Sequence, residues 1–248
     1  MVKHKVIGLL RWIGNREFAA LLAVFTILFL VWGFAELSEE VMEGETMTFD
    51  EAVLLSMRNP QDVSDPLGPG WFEEMGRDVT AMGGNVVLTI LTLAVCGFMV
   101  LDGKRRLAIV LIVATLGALG VSTMLKSSFD RDRPDLVPHD ARVYTASFPS
   151  GHSMLAASTY LTLGALLARA QKRRRIKAYI LIISLFLTLI IGLSRIYLGV
   201  HWPTDVLGGW AVGAGWALGC WLLARWLQDH GEVENEYGRL DRKEAVEP

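Results

Sequence analysis

The chain has 248 residues, of which 52% are hydrophobic, and its formal net charge is −2. Its mean hydropathy of +0.37 is typical of a membrane protein, which excludes a soluble binding module, and we expect no nucleic-acid partner. The two cysteines, Cys96 and Cys220, lie within apolar stretches and indicate buried thiols without a disulfide framework. No residue spacing is typical of a metal site or a glycine-rich nucleotide loop, so we expect neither a metal nor a cofactor.

Six apolar runs approach the length of about 20 helical residues that crosses a bilayer core. They lie at about 18–37, 85–101, 107–125, 153–170, 176–193 and 206–227. The second and fourth are short and need tilt or flanking residues that reach the interface. The pattern predicts an all-α integral membrane protein, with a six-helix bundle as a single membrane domain over residues 1–248.

The first run has an alternative interpretation as a signal peptide. Basic residues precede it, and Gly33-Phe34-Ala35 resembles a cleavage site with small residues at its ends. The apolar stretch is longer than the usual signal core of about 7–15 residues, however, so we interpret it as a retained first span.

Basic residues predict the orientation of the spans. They cluster before the first run, at Lys104–Arg106 between the second and third, and at Arg169–Lys177 between the fourth and fifth. Six spans place these three segments on one side, which the positive-inside rule identifies as cytoplasmic. The N-terminus and the polar tail at 228–248 are then cytoplasmic. The compact size and the lack of a retrieval signal favour a bacterial inner membrane.

Residues 38–84 form an outer connecting segment that is rich in acidic residues. Thr48 and Glu51 have the spacing of a helix capping box, and Asn59-Pro60 is expected to end that helix. Trp71, Phe72 and Met75 predict a second short helix at the membrane interface. The segment either roofs the bundle or shapes the entry of a lipid.

Paired glycines mark the last span. Gly209 and Gly213 are four residues apart, as are Gly215 and Gly219, and such pairs allow close helix approach. We expect them to pack inside the bundle, and a dimer face is the alternative.

Three short motifs adjoin the predicted outer ends of spans. They are K-S-S-F-D-R-D-R-P from Lys126 to Pro134, F-P-S-G-H from Phe148 to His152, and S-R-I-Y-L-G-V-H-W-P-T-D from Ser194 to Asp205. The third span ends at the first motif, the fourth begins at the second, and the third motif connects the last two spans. All three motifs are therefore predicted to lie at one membrane face.

Each motif residue also has an ordinary structural explanation. Lys126 and Arg195 end helices, where cations complement the helix dipole, and Ser150 and Asp205 are in capping positions. The coincidence of all three motifs on an otherwise acidic face favours a functional site. A local basin of positive charge would attract a phosphate dianion, and its basic residues include Lys126, Arg131, Arg133, Arg142 and Arg195. The backbone N–H groups of Ser150 and Gly151 add an anion site at a helix N-terminus.

These motifs resemble the signature of the type-2 phosphatidic acid phosphatase (PAP2) superfamily, which reads K-x6-R-P, then P-S-G-H, then S-R-x5-H-x3-D. Every signature position is present here in the expected order. The resemblance extends through the span layout to most of residues 85–227, whereas the outer connecting segment lies outside the signature.

The resemblance implies a role for each matching residue. His201 would be the nucleophile that forms a phosphohistidine, Asp205 would orient its ring, and His152 would be the general acid. The phosphoryl oxygens would be bound by Lys126, Arg133, Ser150, Gly151 and Arg195. Fixed cations and N–H donors suit phosphoryl transfer, in which charge spreads over three oxygens. This chemistry needs no metal.

The implied activity is that of a lipid phosphate phosphatase acting at the outer face of the membrane, with a membrane lipid phosphate and the bilayer as its partners and no obligate protein partner. Candidate substrates are undecaprenyl diphosphate, phosphatidylglycerophosphate, phosphatidic or lysophosphatidic acid, and lipid A phosphate. The alternatives are a lipid-to-lipid phosphotransferase of the same superfamily, a catalytically inactive scaffold and a six-span transporter. A transporter is expected to carry charged residues near mid-membrane, whereas this chain keeps its charges near the span ends.

Overall fold

The structure is a computed structural model that describes residues 2–135 and 146–231, including the side chains from Glu17 onward. The described residues form eight helices and one two-stranded antiparallel hairpin. The helices are α1 (Val2–Glu43), α2 (Met47–Leu55), α3 (Gly70–Ala81), α4 (Asn85–Leu101), α5 (Arg105–Ser128), α6 (Gly151–Arg169), α7 (Arg174–Tyr197) and α8 (Pro203–Asp229), and the strands are β1 (Arg58–Asn59) and β2 (Asp62–Pro66). The prediction of an all-α architecture is confirmed, with the hairpin as an addition.

Helix α6 lies at the centre of the bundle and contacts α4, α5, α7 and α8. Most of its residues are buried, and many are small or carry a hydroxyl group, which lets neighbouring helices approach closely. A Cβ atom added at Gly209 would lie 2.6 Å from the carbonyl oxygen of Ser150, and one at Gly213 would lie 2.4 Å from that of Met154. These two glycines therefore allow α8 to pack directly on α6, as predicted.

The second predicted glycine pair is different. A Cβ atom at Gly215 or Gly219 would meet no atom within 4 Å, so this pair is not used for close packing in the described residues. Both glycines instead face a groove between α1, α5 and α8. The expectation of internal packing was wrong for this pair, because sequence spacing cannot distinguish the face of α8 that meets α6 from the face that meets open space.

The prediction of six spans is confirmed only in part. A helix covers each of the six apolar runs, but four helices in the described residues have the length and hydropathy of a span on their own: Glu17–Glu43, Arg105–Ser128, Arg174–Tyr197 and Pro203–Asp229. A fifth is possible if α3 and α4, which meet at an angle of 51°, act together. Helix α6 falls outside this set because other helices surround it, so its residues need to suit close packing more than contact with lipid.

The outer connecting segment packs on the C-terminal end of α7 and the N-terminal end of α8. The predicted capping box was wrong, because α2 begins at Met47 after Thr46 and has no side-chain cap. The predicted second helix is confirmed as α3, and the Phe72 ring lies 5.2 Å from that of Tyr197 on α7. Between these helices, the Arg58 guanidinium donates a hydrogen bond of 2.8 Å to the Tyr197 carbonyl oxygen. The segment is therefore an integral part of the fold.

An aromatic cluster fixes the loop that precedes α6. The ring of Phe34 on α1 stacks on Phe148 at 5.5 Å, and Phe129 meets Phe148 edge-on at 5.1 Å. Helix α1 therefore supports the second motif. At the other end of the chain, α8 extends into the predicted tail as far as Asp229, while Arg142 and residues 232–248 lie outside the described part of the chain.

Candidate active site

The structure brings the three motifs together at one end of the bundle. The Lys126 ammonium group at the end of α5 donates a 3.0 Å hydrogen bond to the carbonyl oxygen of Ala146, just before the second motif. The N–H group of Ser150 donates to the carbonyl oxygen of Asp205 at 2.9 Å, which links the second motif to the third. The Arg133 guanidinium donates to the carbonyl oxygen of Val200 at 2.9 Å. Helix ends and loops that are distant in sequence thus form one site.

His201 and Asp205 form the centre of this site. Nδ1 of His201 lies 3.2 Å from Oδ2 of Asp205, and both side chains are buried. A carboxylate accepts hydrogen bonds, so this contact assigns the imidazole proton to Nδ1 and leaves a lone pair on Nε2. Nη1 of Arg133 lies 3.1 Å from Nε2 and can donate to it. The nitrogen that a nucleophile requires therefore faces a cation that could also bind a phosphate.

Burial keeps His201 uncharged. Removal from solvent lowers the pKa of His201 to about 3, although the hydrogen bond and the negative charge of Asp205 act in the opposite direction. At neutral pH the ring is therefore unprotonated at Nε2, which is the state in which a histidine can attack phosphorus.

Asp205 is held by hydrogen bonds from several directions. Its Oδ2 accepts from the Ser147 hydroxyl group and, at 2.8 Å, from the N–H group of Trp202, while Oδ1 accepts from Arg131 at 2.7 Å. With His201 included, both oxygens have partners, so the carboxylate cannot easily rotate. A fixed carboxylate fixes the imidazole ring beside it.

Arg131 differs from its predicted role. The sequence predicts that Arg131 belongs to a basin of positive charge that attracts phosphate, but its side chain is buried between the carboxylates of Asp50 and Asp205. These two carboxylates offset its charge. Arg131 therefore holds Asp205 in place and does not add positive charge to the surface that would bind phosphate.

The three predicted phosphate-binding cations, Lys126, Arg133 and Arg195, lie close enough to His152 to interact with it electrostatically. Lys126 passes close to α6, since a Cβ atom at Gly151 would lie 3.2 Å from its Cε atom. Arg195 on α7 donates to the Thr80 hydroxyl group at 3.0 Å, which ties it to the outer connecting segment. Arginine has five N–H donors, so each guanidinium can keep its protein contact and still bind an anion.

His152 lies in the first turn of α6 and is close to positive charge. Lys126, Arg133, Arg195 and His201 all act on it electrostatically. The turn between α3 and α4 covers the ring, since a Cβ atom at Gly84 would lie 3.9 Å from Nε2. Burial lowers the pKa of His152 to about 3, with a contribution in the same direction from the positive charges of Lys126, Arg133 and Arg195. A bound phosphate dianion would offset them and favour the protonated ring that a general acid needs.

Ser150 is the N-cap residue of α6, as its position predicted. Its side chain is fully buried, and its Oγ accepts hydrogen bonds from the N–H group and the hydroxyl group of Ser153, the latter at 3.0 Å. A hydroxyl group that accepts in this way still has its own proton to donate. The N-cap role is therefore compatible with a hydrogen bond to a phosphoryl oxygen.

Sequence reasoning missed Ser147, Thr80 and Asp50, which hold the predicted site residues in place. Ser147 comes directly before the second motif, and this adjacency was its only signal. Thr80 and Asp50 lie in the acidic outer segment, where no local pattern distinguished them from other polar residues.

In the described part of the chain, no group of three or more His, Cys, Asp or Glu residues is arranged to hold a metal ion.

The buried neutral His201 leads to a prediction about stability. Its pKa is lowered in the folded protein from 6.5 to about 3, so the unfolded chain binds more protons between these values. We therefore expect the stability of the wild type to fall more steeply than that of His201→Gln as the pH drops from about 6.5 towards 3. Thermal unfolding in detergent across this range measures the difference. His230→Gln, which replaces an exposed histidine, is the control and should keep the wild-type slope.

Comparisons with known proteins agree with the architecture. The sequence model of the PAP2 superfamily matches residues 107–229. Phosphatidylglycerophosphatase B of Bacillus subtilis is 32% identical over 146 residues, which make up 58% of this chain and 70% of that protein. Undecaprenyl-diphosphatase of Sulfolobus acidocaldarius is 34% identical over 68 residues, or 27% of this chain and 29% of that protein.

A solved structure shows the same similarity in three dimensions. The crystal structure of a transmembrane PAP2-type phosphatidylglycerolphosphate phosphatase from Bacillus subtilis aligns with a TM-score of 0.70 and 25% identity. The alignment covers 82% of this chain and 98% of that one. The residues matched by the family model contain all three motifs, whereas α1 to α4 and the outer connecting segment precede them.

Proposed function

We propose a substrate class and a mechanism for this chain, which belongs to the PAP2 superfamily and is a multi-pass membrane protein with the activity of a lipid phosphatase. It hydrolyses a phosphomonoester or diphosphate of a membrane lipid through a phosphohistidine intermediate, without a metal ion. The observation that carries the proposal is the neutral, Asp205-bound ring of His201, whose Nε2 atom faces the cations of the motifs.

In the first step, Nε2 of His201 attacks phosphorus and the bond from phosphorus to the leaving oxygen breaks. Protonated His152 gives its proton to that oxygen. The leaving group therefore departs as a lipid alcohol or as a lipid monophosphate that has gained one proton. The equatorial oxygens are bound by Lys126, Arg133 and Arg195, together with the start of α6. These groups are already fixed by protein contacts, so little reorganisation is needed as charge develops.

In the second step, water attacks the phosphohistidine. His152, now neutral, accepts a proton from the water, and the bond between phosphorus and Nε2 breaks to release inorganic phosphate. Asp205 stabilises the positive charge that the His201 ring carries in the intermediate and restores the Nδ1-protonated tautomer afterwards. The two histidines have different roles because, in the described residues, Asp205 contacts only His201.

A lipid substrate fits the position of the site. The motifs lie where α5 and α7 end and α6 and α8 begin, next to helix surfaces that expose large apolar side chains. A phosphate could stand at this end of the bundle while its lipid tail remained in the bilayer. The names of the relatives favour phosphatidylglycerophosphate and undecaprenyl diphosphate among the candidates.

We further propose that the site faces the exterior of a bacterial inner membrane and that both termini are cytoplasmic. The basic residues at 169–177 support this orientation, because they connect α6 to α7 at the end of the bundle opposite the motifs. The positive-inside rule places such a cluster in the cytoplasm.

We expect the purified protein to release phosphate from one or more lipid phosphates in the presence of EDTA. Cations of the protein occupy the positions that a metal would otherwise fill around the phosphoryl group. The measurement is phosphate release in detergent from phosphatidylglycerophosphate, undecaprenyl diphosphate, phosphatidic acid and lipid A phosphate, with His201→Ala as the background. Vanadate, which mimics the transferring phosphoryl group, should inhibit.

Two results would contradict this proposal. Activity that EDTA abolishes and a divalent ion restores would refute the metal-free mechanism. Transfer of the phosphoryl group to a second labelled lipid, with no release of inorganic phosphate, would identify a phosphotransferase instead.

A further inference from the structure

Asp50 is separated from the three motifs in sequence but is in contact with their supporting residues. It lies on α2 in the outer connecting segment, and its side chain is fully buried. Its Oδ1 accepts a hydrogen bond of 2.9 Å from the N–H group of Thr204, and its Oδ2 accepts one of 2.6 Å from the Thr204 hydroxyl group. Asp50 therefore binds the first turn of α8, the helix that carries Asp205.

This contact completes the N-terminal cap of α8. Within the helix, Asp205 accepts a hydrogen bond from the N–H group of Trp202, whereas the N–H group of Thr204 donates to Asp50. The N-cap position is Trp202, whose indole can donate a hydrogen bond but cannot accept one from a backbone N–H group. A carboxylate at a helix N-terminus satisfies such N–H groups and complements the helix dipole. Asp50 performs this function from another helix, and it thereby fixes the turn that places Asp205 beside His201.

Arg131 extends the link from Asp50 to the nucleophile. Its Nη2 donates to Oδ2 of Asp50 at 2.6 Å, and its Nη1 donates to Oδ1 of Asp205 at 2.7 Å. Nη1 also lies 2.8 Å from the Thr204 hydroxyl oxygen. A continuous path of buried hydrogen bonds therefore runs from Asp50 through Arg131 and Asp205 to His201.

The charges along this path favour the intermediate. Arg131 carries one positive charge and lies between two carboxylates, so with a neutral His201 the group has a net charge of about −1. The ring of His201 gains positive charge when its Nε2 bonds to phosphorus. Without Asp50, Arg131 would offset Asp205 alone and would weaken the support that Asp205 gives to that ring.

From these contacts we propose that Asp50 is a positioning residue for the reaction, acting on His201 through Arg131, Asp205 and the first turn of α8. The proposal rests on the proposed function, since it assumes that His201 is the nucleophile. It also gives the outer connecting segment a specific role: α2 completes the support of the active site.

The test compares the wild type with Asp50→Asn, which keeps the size of the side chain and an oxygen for the Thr204 N–H group but removes the charge. We expect kcat to fall about tenfold to hundredfold, by analogy with other partners that orient a reacting histidine. KM should change little because the groups that bind phosphate are untouched. Asp62→Asn is the matched control: it makes the same change in the same segment, at an exposed residue, and should behave as the wild type.

A binding measurement separates positioning from a general effect on folding. Vanadate bonds to a nucleophile as the transferring phosphoryl group does, whereas inorganic phosphate binds through the cations alone. Calorimetry should therefore show that Asp50→Asn weakens vanadate binding by about the factor lost in kcat, while phosphate binding and the number of sites per protein stay unchanged. Arg131→Lys keeps a cation but lacks the planar fork that reaches both carboxylates, and it should show the same pattern if Asp50→Asn does not fold.

The outcomes separate the two proposals. Fewer binding sites with normal kcat per site would show that Asp50 is only structural, and equal loss of vanadate and phosphate binding would also overturn its positioning role. A wild type that binds vanadate but releases phosphate from no lipid would refute the proposed function. In that case the ratio of vanadate to phosphate binding still tests the role of Asp50.

Discussion

Replacing His201 by alanine is expected to abolish phosphate release, with a loss of about ten-thousandfold or more. Two neighbouring groups of the site, Asp205 and His152, are poorly suited to take its place as nucleophile. Both oxygens of Asp205 accept hydrogen bonds, and His152, which we propose as the general acid, lies close to the positive charges of Lys126, Arg133 and Arg195. Single-turnover release of phosphate from the best lipid substrate, with enzyme in excess, measures the loss without interference from product release.

The matched control is His230→Ala, which makes the same change at an exposed histidine at the end of α8 and should retain full activity. His201→Ala should remain folded, because Arg131 keeps both carboxylate partners and no buried charge is left unpaired. A His201→Ala protein that releases phosphate at the wild-type rate would refute the assignment of the nucleophile.

Much of the site was predictable from the sequence because its residues lie at the ends of apolar helices. Counting helices along the chain places Lys126, His152, Arg195 and His201 at one end of the bundle, and the structure brings them together there. The resemblance to the PAP2 signature implies that Asp205 orients the ring of His201, and the observed distance between Nδ1 and Oδ2 is 3.2 Å. These predictions depend on local spacing and on the direction of each helix.

The supporting residues could not be predicted because their contacts span long distances in sequence. Asp50 contacts Arg131 across 81 residues and Thr204 across 154 residues. Locally, Asp50 resembles an ordinary acidic residue in the first turn of a helix, and Arg131 resembles one more cation for phosphate. Only the packing of α2 on the start of α8 shows that Asp50 and Arg131 form a buried ion pair next to Asp205.

Hydropathy alone does not identify α6 as a span, for a similar reason. Its Ser158, Thr159, Thr162 and Gly164 are buried against neighbouring helices, and they lower its hydropathy without exposing polar groups to lipid. The sequence shows the composition of a helix but not which neighbours surround it, and α6 is surrounded on several sides.

Asp205→Asn is expected to lower kcat by about a thousandfold to ten-thousandfold while preserving the fold. The asparagine side chain can be oriented in two ways. In the first its NH₂ group faces Arg131, and in the second it replaces Oδ2, the oxygen that accepts from Ser147, Trp202 and His201 in the wild type. In the second orientation the NH₂ group donates to Nδ1 of His201, which moves the imidazole proton to Nε2 and removes the lone pair that attacks phosphorus. In the first orientation the NH₂ group faces the positively charged Arg131, which is unfavourable. In both orientations the negative charge that supports the intermediate is lost.

The fold should survive this change because Arg131 remains paired with Asp50 at 2.6 Å, so its buried charge keeps one carboxylate. The decisive measurement combines kcat with ¹⁵N NMR of histidine-labelled protein, which reports whether Nδ1 or Nε2 of His201 carries the proton. We expect Nδ1 protonation in the wild type and in Asp62→Asn, the exposed control, and a shift towards Nε2 in Asp205→Asn. A variant with low kcat but an unchanged tautomer would assign the role of Asp205 to its charge alone, and a variant with wild-type kcat would show that Asp205 does not act on the nucleophile.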